Sequence, residues 1–338
     1  MAEHLGLSPA AVSTVLNRRP AADAIPESTK QRIFAAAREL GYRPNYLARS
    51  LRSQRSFSVG VLVPEISEGY AANVLGGIET GLLAEGYFYL VTSHRSSELP
   101  VERYLELLAD RAVEGYILVN TPLEGPPPLP AVAISGHAEL DRVTNVVVDH
   151  ERASILALSH LAELGHRRLA VFRGHPDTAD AEERWQMTRD TAATLGLEIP
   201  DEAVVQLGTE LEGRLYTPEE AFQEGYAFAQ ELLRRRQRFT ALVAFNDVSA
   251  IGAMRALRDV GLDVPGDLSV IGFDDIPEAA FQIPRLTTVR QPLRQMGRTA
   301  CELLLRLLHG GDAPPQVVRV EPELVVREST AAPAAGGR

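Results

Sequence analysis

The sequence predicts an α/β protein with a small all-α head followed by two parallel-sheet α/β units. Three observations carry this. Residues 1–56 read as short helices and hold nine Arg or Lys against four Asp or Glu. From Phe57 onward, short β-rich apolar runs alternate with helical stretches, the pattern of parallel strands covered by helices. The formal net charge is −11 for the whole chain, so the residues after 56 carry −16. A basic head on an acidic body is the asymmetry expected when only one end meets a polyanion. The 338 residues, 45% of them hydrophobic, suffice for two or three buried cores.

In the head, residues 1–5 read as the tail of a helix stopped by Gly6. Ser8 then caps a second helix, with Pro9 in its first turn, that runs to about Asn17. Two helices joined by a tight glycine turn suggest a helix-turn-helix. Ala11, Val12, Val15 and Leu16 can pack inward, which leaves Pro9, Ala10, Ser13, Thr14 and Asn17 on the other side, small enough to approach a major groove. A third helix over residues 26–40 has Ile33, Ala36, Ala37 and Leu40 as its buried stripe and ends at Gly41. Three short helices are also a common fold fragment with no tie to DNA.

The next segment joins two unlike parts. Pro44 suits a first helical turn, Leu47, Ala48 and Leu51 recur at helical spacing, and Arg49, Arg52 and Arg55 flank them. So short a helix is unstable alone in water. A duplex could hold it, with arginines on phosphates and Leu51 wedged between base steps in the minor groove. An Arg-rich flexible tether fits the same composition.

In the body, residues 58–63, 88–92, 116–120, 131–134 and 145–148 read as strands, with helices over 71–85 and 101–109. A second series of strands covers 169–172, 204–207, 241–244 and 269–273, with helices over 151–164, 182–195, 218–235 and 248–260. Open parallel sheets bind ligands beyond the carboxyl ends of their strands. Those ends offer Tyr70, His94, Asn120, Asp149, Arg173, Asn246 and Asp274. Carboxylates, amides and an aromatic suit a polyhydroxylated ligand, because hydroxyls both donate and accept. Asp and Asn at strand ends also read as ordinary helix caps.

Other chemistries find no footing in the sequence. Cys301 is the only cysteine, so no intrachain disulfide or multi-cysteine metal site is expected. Gly76-Gly77 with Gly81 lacks dinucleotide spacing, the eight histidines form no zinc pattern, and no Ser or Cys sits in a nucleophile turn. An enzyme and a cofactor are not expected. Neither a cleavable export signal nor a long apolar run is present, so a cytoplasmic protein without membrane contact is expected.

Residues Ala2-Glu3 through Leu7-Ser8, Val12-Ser13 with Leu16-Asn17, Thr29, and Gly41-Tyr42-Arg43-Pro44-Asn45 with Ala48 and Leu51 resemble the head and hinge of the lactose/galactose repressor (LacI) family. The resemblance continues to about Thr330. It implies a dimeric transcription regulator, most often a repressor. Its second helix would read the major groove and its paired hinge helices would enter the minor groove of operator DNA. The implied DNA-binding residues are Ser8, Pro9, Ala10, Ser13, Thr14, Asn17, Tyr42, Asn45, Ala48, Arg49 and Leu51. Thr14 stands where the family commonly has arginine and cannot bind guanine bidentately, so a different operator is expected. The family carries several residues before the position of Met1, so the chain is expected to begin inside the first helix.

The family's body is periplasmic-binding-protein-like, with two interleaved subdomains and a small effector between them, foremost a sugar. Arg184 in Glu182-Glu183-Arg184-Trp185 and Asp274 in Gly272-Phe273-Asp274-Asp275 match its effector-holding residues. Tyr70, Asp149, Tyr216 and Asn246 complete the expected site, with Asn246 facing the ligand and Asp247 capping the helix. Ala71 and Met187 depart from the family pattern.

The expected domains are a head over 1–43, a hinge over 44–56, an N-subdomain over 57–149 with 290–311, a C-subdomain over 150–289 with 312–330, and a disordered tail over 331–338. The expected partners are double-stranded operator DNA, a small-molecule effector and a second copy of the chain. The alternative is a sugar-binding sensor without DNA-binding activity.

Overall fold

The computed structural model describes residues 1–16, 20–42, 50, 55–66, 69–94, 99–123, 125–136, 140, 143–176, 178, 180–208, 218–235, 238–311 and 317–334. They form two compact units, Met1–Ser56 and Phe57–Arg338.

In the first unit, helices α1 (Ala2–Leu5), α2 (Pro9–Leu16) and α3 (Glu27–Glu39) surround a small core. Gly6, at φ +64°, turns the chain between α1 and α2 in a left-handed conformation that costs glycine nothing. Ser8 Oγ accepts from Ala11 N–H at 3.1 Å and so caps α2. Val12, Val15, Ala22 and Ile33 are buried together. At the far end of α3, Gly41 is left-handed and Tyr42 N–H reaches Ala37 O at 2.9 Å, closing the helix as the sequence predicted.

The second unit contains two six-stranded sheets. The first comprises β1 (Ser58–Val63), β2 (Phe88–Ser93), β3 (Gly115–Val119), β4 (Ala131–Ile134), β5 (Val143–Val148) and β11 (Val317–Val320), in the order β11-β5-β4-β3-β1-β2. Every pairing in it is parallel. The second comprises β6 (Leu169–Arg173), β7 (Val204–Gln206), β8 (Ala241–Val243), β9 (Ser269–Asp274), β10 (Thr287–Arg290) and β12 (Glu323–Val325), in the order β12-β10-β9-β8-β6-β7. There β12 alone runs antiparallel. Parallel strands are covered on both faces, which is why runs such as Tyr116-Ile117-Leu118-Val119 are buried throughout.

Helices α4 (Gly69–Ala84), α5 (Val101–Ala109) and α10 (Leu293–Leu308) serve the first sheet. Helices α6 (His150–Glu163), α7 (Ala181–Thr194), α8 (Pro218–Arg234) and α9 (Asp247–Asp259) serve the second. In each half one helix pair touches backbone to backbone. A Cβ on Gly77 would lie 2.1 Å from Arg294 O and one on Gly297 2.3 Å from Val74 O. Likewise a Cβ on Gly225 would meet Ser249 O at 2.3 Å and one on Gly252 would meet Phe222 O at 2.1 Å. Glycine is therefore required at these four crossings.

Two boundaries differ from the sequence expectation. The segment after 312 was assigned to the C-subdomain, but β11 pairs with β5, Val317 opposite Asn145, and belongs to the first sheet. The chain returns to the second sheet only at β12. The tail is not free from 331 onward. Ala331 O accepts from His166 Nε2 at 2.9 Å and Ala331 N–H donates to Ser269 Oγ at 3.0 Å. Among hinge positions, only Ser50, Arg55 and Ser56 lie among the described residues.

Candidate effector cleft

The carboxyl ends of the two sheets border a cleft of about 490 Å³, counting its open mouth. The backbone there is bent out of ordinary strand geometry. Asn120 after β3, Ser135 after β4 and Asp274 at the end of β9 have φ of +46°, +53° and +112°, sparsely populated values for residues with side chains and frequent where a site is shaped. The first half contributes Asn120 and, at the start of α4, Tyr70, whose hydroxyl lies 3.1 Å from Ser135 Oγ. Burial pushes the Tyr70 hydroxyl pKa up, with Asp180 adding to the effect, so it stays a neutral donor.

The second half contributes the charge. Arg184 sits one turn into α7 and is only 9% exposed. Its guanidinium lies 3.4 Å from the ring centroid of Phe273 and 4.2 Å from that of Phe245, and Nη2 donates to Phe245 O. Two aromatic faces and a carbonyl fix a planar cation as no lysine could be fixed. Burial lowers the Arg184 pKa, opposed by Asp180, Asp274, Tyr70 and Asp247. Asp180, just before α7, is buried with Oδ2 3.2 Å from His150 Nε2. Burial pushes its carboxyl pKa up, but the hydrogen bond and charge of His150, with Arg184, outweigh that and hold it below the usual range.

Asp274 accepts from Gln291 Nε2 at 2.7 Å. Burial and the neighbouring Asp247 carry its pKa well above the usual carboxylate range, with Arg184 and Gln291 acting against them. The other amide atom of Gln291, Oε1, is buried with no hydrogen-bond partner among the described residues. His175 and Thr178 extend the wall after β6, and His175 Nε2 lies 3.1 Å from Glu224 Oε2.

The cleft thus brings together four of the six expected effector residues, Tyr70, Arg184, Asn246 and Asp274. Asp149 is not among its lining. Its Oδ1 accepts from Arg152 N–H at 2.8 Å and caps α6, the ordinary role of an aspartate before a helix. Tyr216 lies outside the described residues. The division of labour at Asn246-Asp247 also differs from expectation. Asn246 forms a capping box with Ser249 while lining the cleft. Asp247, fully buried, accepts from Thr288 Oγ1 at 2.6 Å and Ile276 N–H at 2.9 Å, and burial pushes its pKa up to about 7.

Asn120 was among the strand-end candidates of the sequence, whereas His175, Thr178, Asp180, Phe245 and Gln291 escaped the sequence reading as site residues. Phe245 stood at a strand end and Gln291 at the crossing between halves, so position was a usable signal. His175, Thr178 and Asp180 gave none, because their place follows from tertiary packing.

Of the expected DNA-binding residues, Ser8, Pro9 and Ala10 are exposed, Ser13 and Thr14 half-buried, and Tyr42 is 49% exposed. Asn17, Asn45, Ala48, Arg49 and Leu51 lie outside the described residues. No helix among the described residues is long and apolar enough to cross a membrane.

Residues 158–330 match the periplasmic binding protein-like domain family. Over 338 residues, covering 97% of this chain and 96% of the relative, the sequence is 30% identical to the HTH-type transcriptional repressor PurR of Aliivibrio fischeri strain ES114. It is also 30% identical to the Haemophilus influenzae protein of the same name, with 97% of each chain covered. The lac repressor dimer bound to operator and an anti-inducer superposes with a TM-score of 0.82 at 25% identity, covering 98% of both chains. The regulator CelR in complex with cellobiose gives 0.71 at 28% identity, over 97% of this chain and 98% of that one. The chain belongs to the LacI family of HTH-type transcriptional repressors, built on a periplasmic-binding-protein-like body.

Proposed function

We propose that the protein is a cytoplasmic, homodimeric repressor whose affinity for operator DNA is set by a small polyhydroxylated effector, a sugar, held in the cleft between its two sheets. The observation that carries the effector reading is the immobilised Arg184 guanidinium facing the acceptors Asp180, Asp274 and Gln291 Oε1 across a small polar cleft. Hydroxyl groups satisfy such a mixture of fixed donors and acceptors, and Tyr70 and Phe245 offer aromatic surface to a ring's apolar side. A sugar also accords with the cellobiose held by CelR and the ribose held by a LacI-family regulator from Enterococcus faecium.

In the head, the outward side of α2 with Ser8, Pro9, Ala10, Ser13 and Thr14 would face a major groove, with Asn17 beyond its end and Tyr42, Asn45, Ala48, Arg49 and Leu51 serving the hinge. Self-association is supported by Phe281 and Ile283, each 84% exposed, which line one surface groove with Met254 and Leu262, since large exposed apolar residues grouped together mark interaction surfaces. Control would work by population shift. An effector that binds one arrangement of the halves better favours it, and about 1 to 3 kcal/mol of coupling changes operator affinity roughly 5 to 150-fold.

The deciding experiment is anisotropy binding to near-palindromic intergenic DNA upstream of the gene, titrated with salt, on the wild-type chain and Leu51→Ala, followed by a sugar panel on the complex. Specific binding that falls steeply with salt, weakens in the variant and responds to one sugar is expected. Binding without any sequence preference would overturn the repressor reading, and specific binding indifferent to every sugar would overturn the effector class.

A further inference from the structure

Ser56 closes the first unit and Phe57 opens the second, so any mechanical message carried along the chain crosses that one peptide bond. The start of the second unit is built with unusual firmness. Phe57 has φ +49°, a left-handed conformation that a bulky residue keeps only where its surroundings over-determine it. Its N–H donates to Glu114 Oε1 at 2.7 Å, its carbonyl accepts from Phe88 N–H at 2.8 Å, and its ring meets Tyr87 edge-on with centroids 5.6 Å apart. Tyr87, 1% exposed, donates its hydroxyl to Glu114 Oε2 at 3.3 Å. The N–H of Glu114 itself donates to Ser58 O at 2.8 Å. One carboxylate therefore ties together the residues that immediately precede β1, β2 and β3. These are the amino ends of the strands, at the opposite edge of the sheet from the effector cleft.

Strand pairing alone does not call for such a knot. The β1 ladder runs from Ser58 with β2 and from Val59 with β3, and Phe57 lies before both. What the knot adds is direction. A left-handed residue pinned at N–H, carbonyl and ring lets the chain leave the sheet along one path, and a charged acceptor holds a backbone N–H more firmly than a neutral one.

We infer that Glu114 is a positioning residue for operator recognition, fixing through Phe57 the direction in which the chain leaves the sensor, so that a dimer presents its two heads at one separation. This rests on the repressor reading above. Half-site spacing on DNA is a geometric property of the dimer, and losing the carboxylate would free the exit path at a residue that is not part of the cleft lining.

The test uses the full-length chain with Glu114→Ala, Glu114→Gln and Tyr87→Phe variants. Duplexes are enriched by the wild-type chain from a random-sequence library, then resynthesised with their half-sites one or two base pairs closer or farther apart. Discrimination between spacings is expected to fall about fivefold or more in Glu114→Ala, with half-site sequence preference unchanged and hydrogen-exchange protection lost at the Phe57 amide. Glu114→Gln keeps an acceptor and is expected to retain most of both. A folded Glu114→Ala that spaces its half-sites as the wild type does overturns the inference. If that variant does not fold, Phe57 exchange and spacing both unchanged in Tyr87→Phe, which removes the hydroxyl that orients the Glu114 carboxylate, overturn it instead. A wild-type chain that binds specifically with no spacing preference overturns it alone, and one that enriches no duplex brings down the repressor reading with it.

Discussion

The two walls of the cleft are made by the same kind of sheet end but by different chemistry. The first half offers Tyr70 and Asn120, neutral groups that donate and accept. The second offers Arg184, Asp180, Asp274 and His175. The difference teaches that, among the described residues of the cleft, all the strong electrostatics lies within one half. Its charges keep their mutual distances however the halves move, so the field inside the cleft is preorganised. The neutral wall can approach or withdraw without opening or closing an ion pair. On the proposed function, recognition falls to the second half and closure to the first.

That division makes ordered predictions. Arg184→Ala should have the largest effect. It removes the only guanidinium among the described cleft residues and leaves Asp180 with His150 alone and Asp274 with Gln291 alone, and calorimetry should show effector affinity reduced by about 2 kcal/mol or more, 30-fold and upward. Wild-type-like affinity in this variant would break the assignment of recognition to the second half.

Next comes Asp247, behind the charged wall. Its pKa is raised to about 7 in the folded state against about 3.9 for a free aspartate. The folded state then binds more protons than the unfolded one between those values. From this group stability is full below pH 4, declines as pH rises through about 7, and levels off above. Thermal melts of the wild type from pH 5 to 8 should show this decline, of order a few kcal/mol, over the other titrations, and Asp247→Asn should flatten it. An unchanged slope in the variant would show that burial there is relieved by something other than protonation.

Smaller still is Tyr70→Phe, which removes one neutral hydrogen-bonding group from the first wall. Effector affinity should drop by about 0.5 to 1.5 kcal/mol, well short of the Arg184 effect, and a loss as large would erase the contrast between the walls. Asp149→Ala should be smallest at the cleft. It removes the cap of α6 and costs about 1 kcal/mol of stability, visible in denaturant titration, with effector affinity unchanged.

Much of the fold was legible because parallel strands buried on both faces read as continuous apolar runs. Tyr116-Ile117-Leu118-Val119 and Ala131-Val132-Ala133-Ile134 announce themselves. The strand Val317–Val320 did not, being a sheet-edge segment whose partner β5 lies some 170 residues earlier. Only Val320 of its four residues is buried, so it gives no continuous apolar signal. The tail misled for a related reason. Ala331 looks like linker, yet His166, 1% exposed, fixes it across the sequence.

At the site, Asp274 stood at a strand end and the family resemblance singled it out, while Arg184 came from the resemblance alone, since neither burial nor the stacking of Phe245 and Phe273 is encoded locally. Asp149 shows the converse error, because a carboxylate between strand and helix looks the same whether it holds a ligand or the next helix. Here the hydrogen bond from Arg152 N–H settles which.

The glycine crossing of α4 and α10 bears on synthesis as well as stability. Gly77 and Gly297 interlock helices separated by more than two hundred residues, and β11 and β12 complete the two sheets only near residue 325. Neither half can therefore finish as the chain leaves the ribosome. Both wait, with apolar faces open, for the same last segment, and contacts of such separation are slow to form. A message cut short before residue 290 would yield not one finished sensor half but two unfinished ones, both dependent on chaperones.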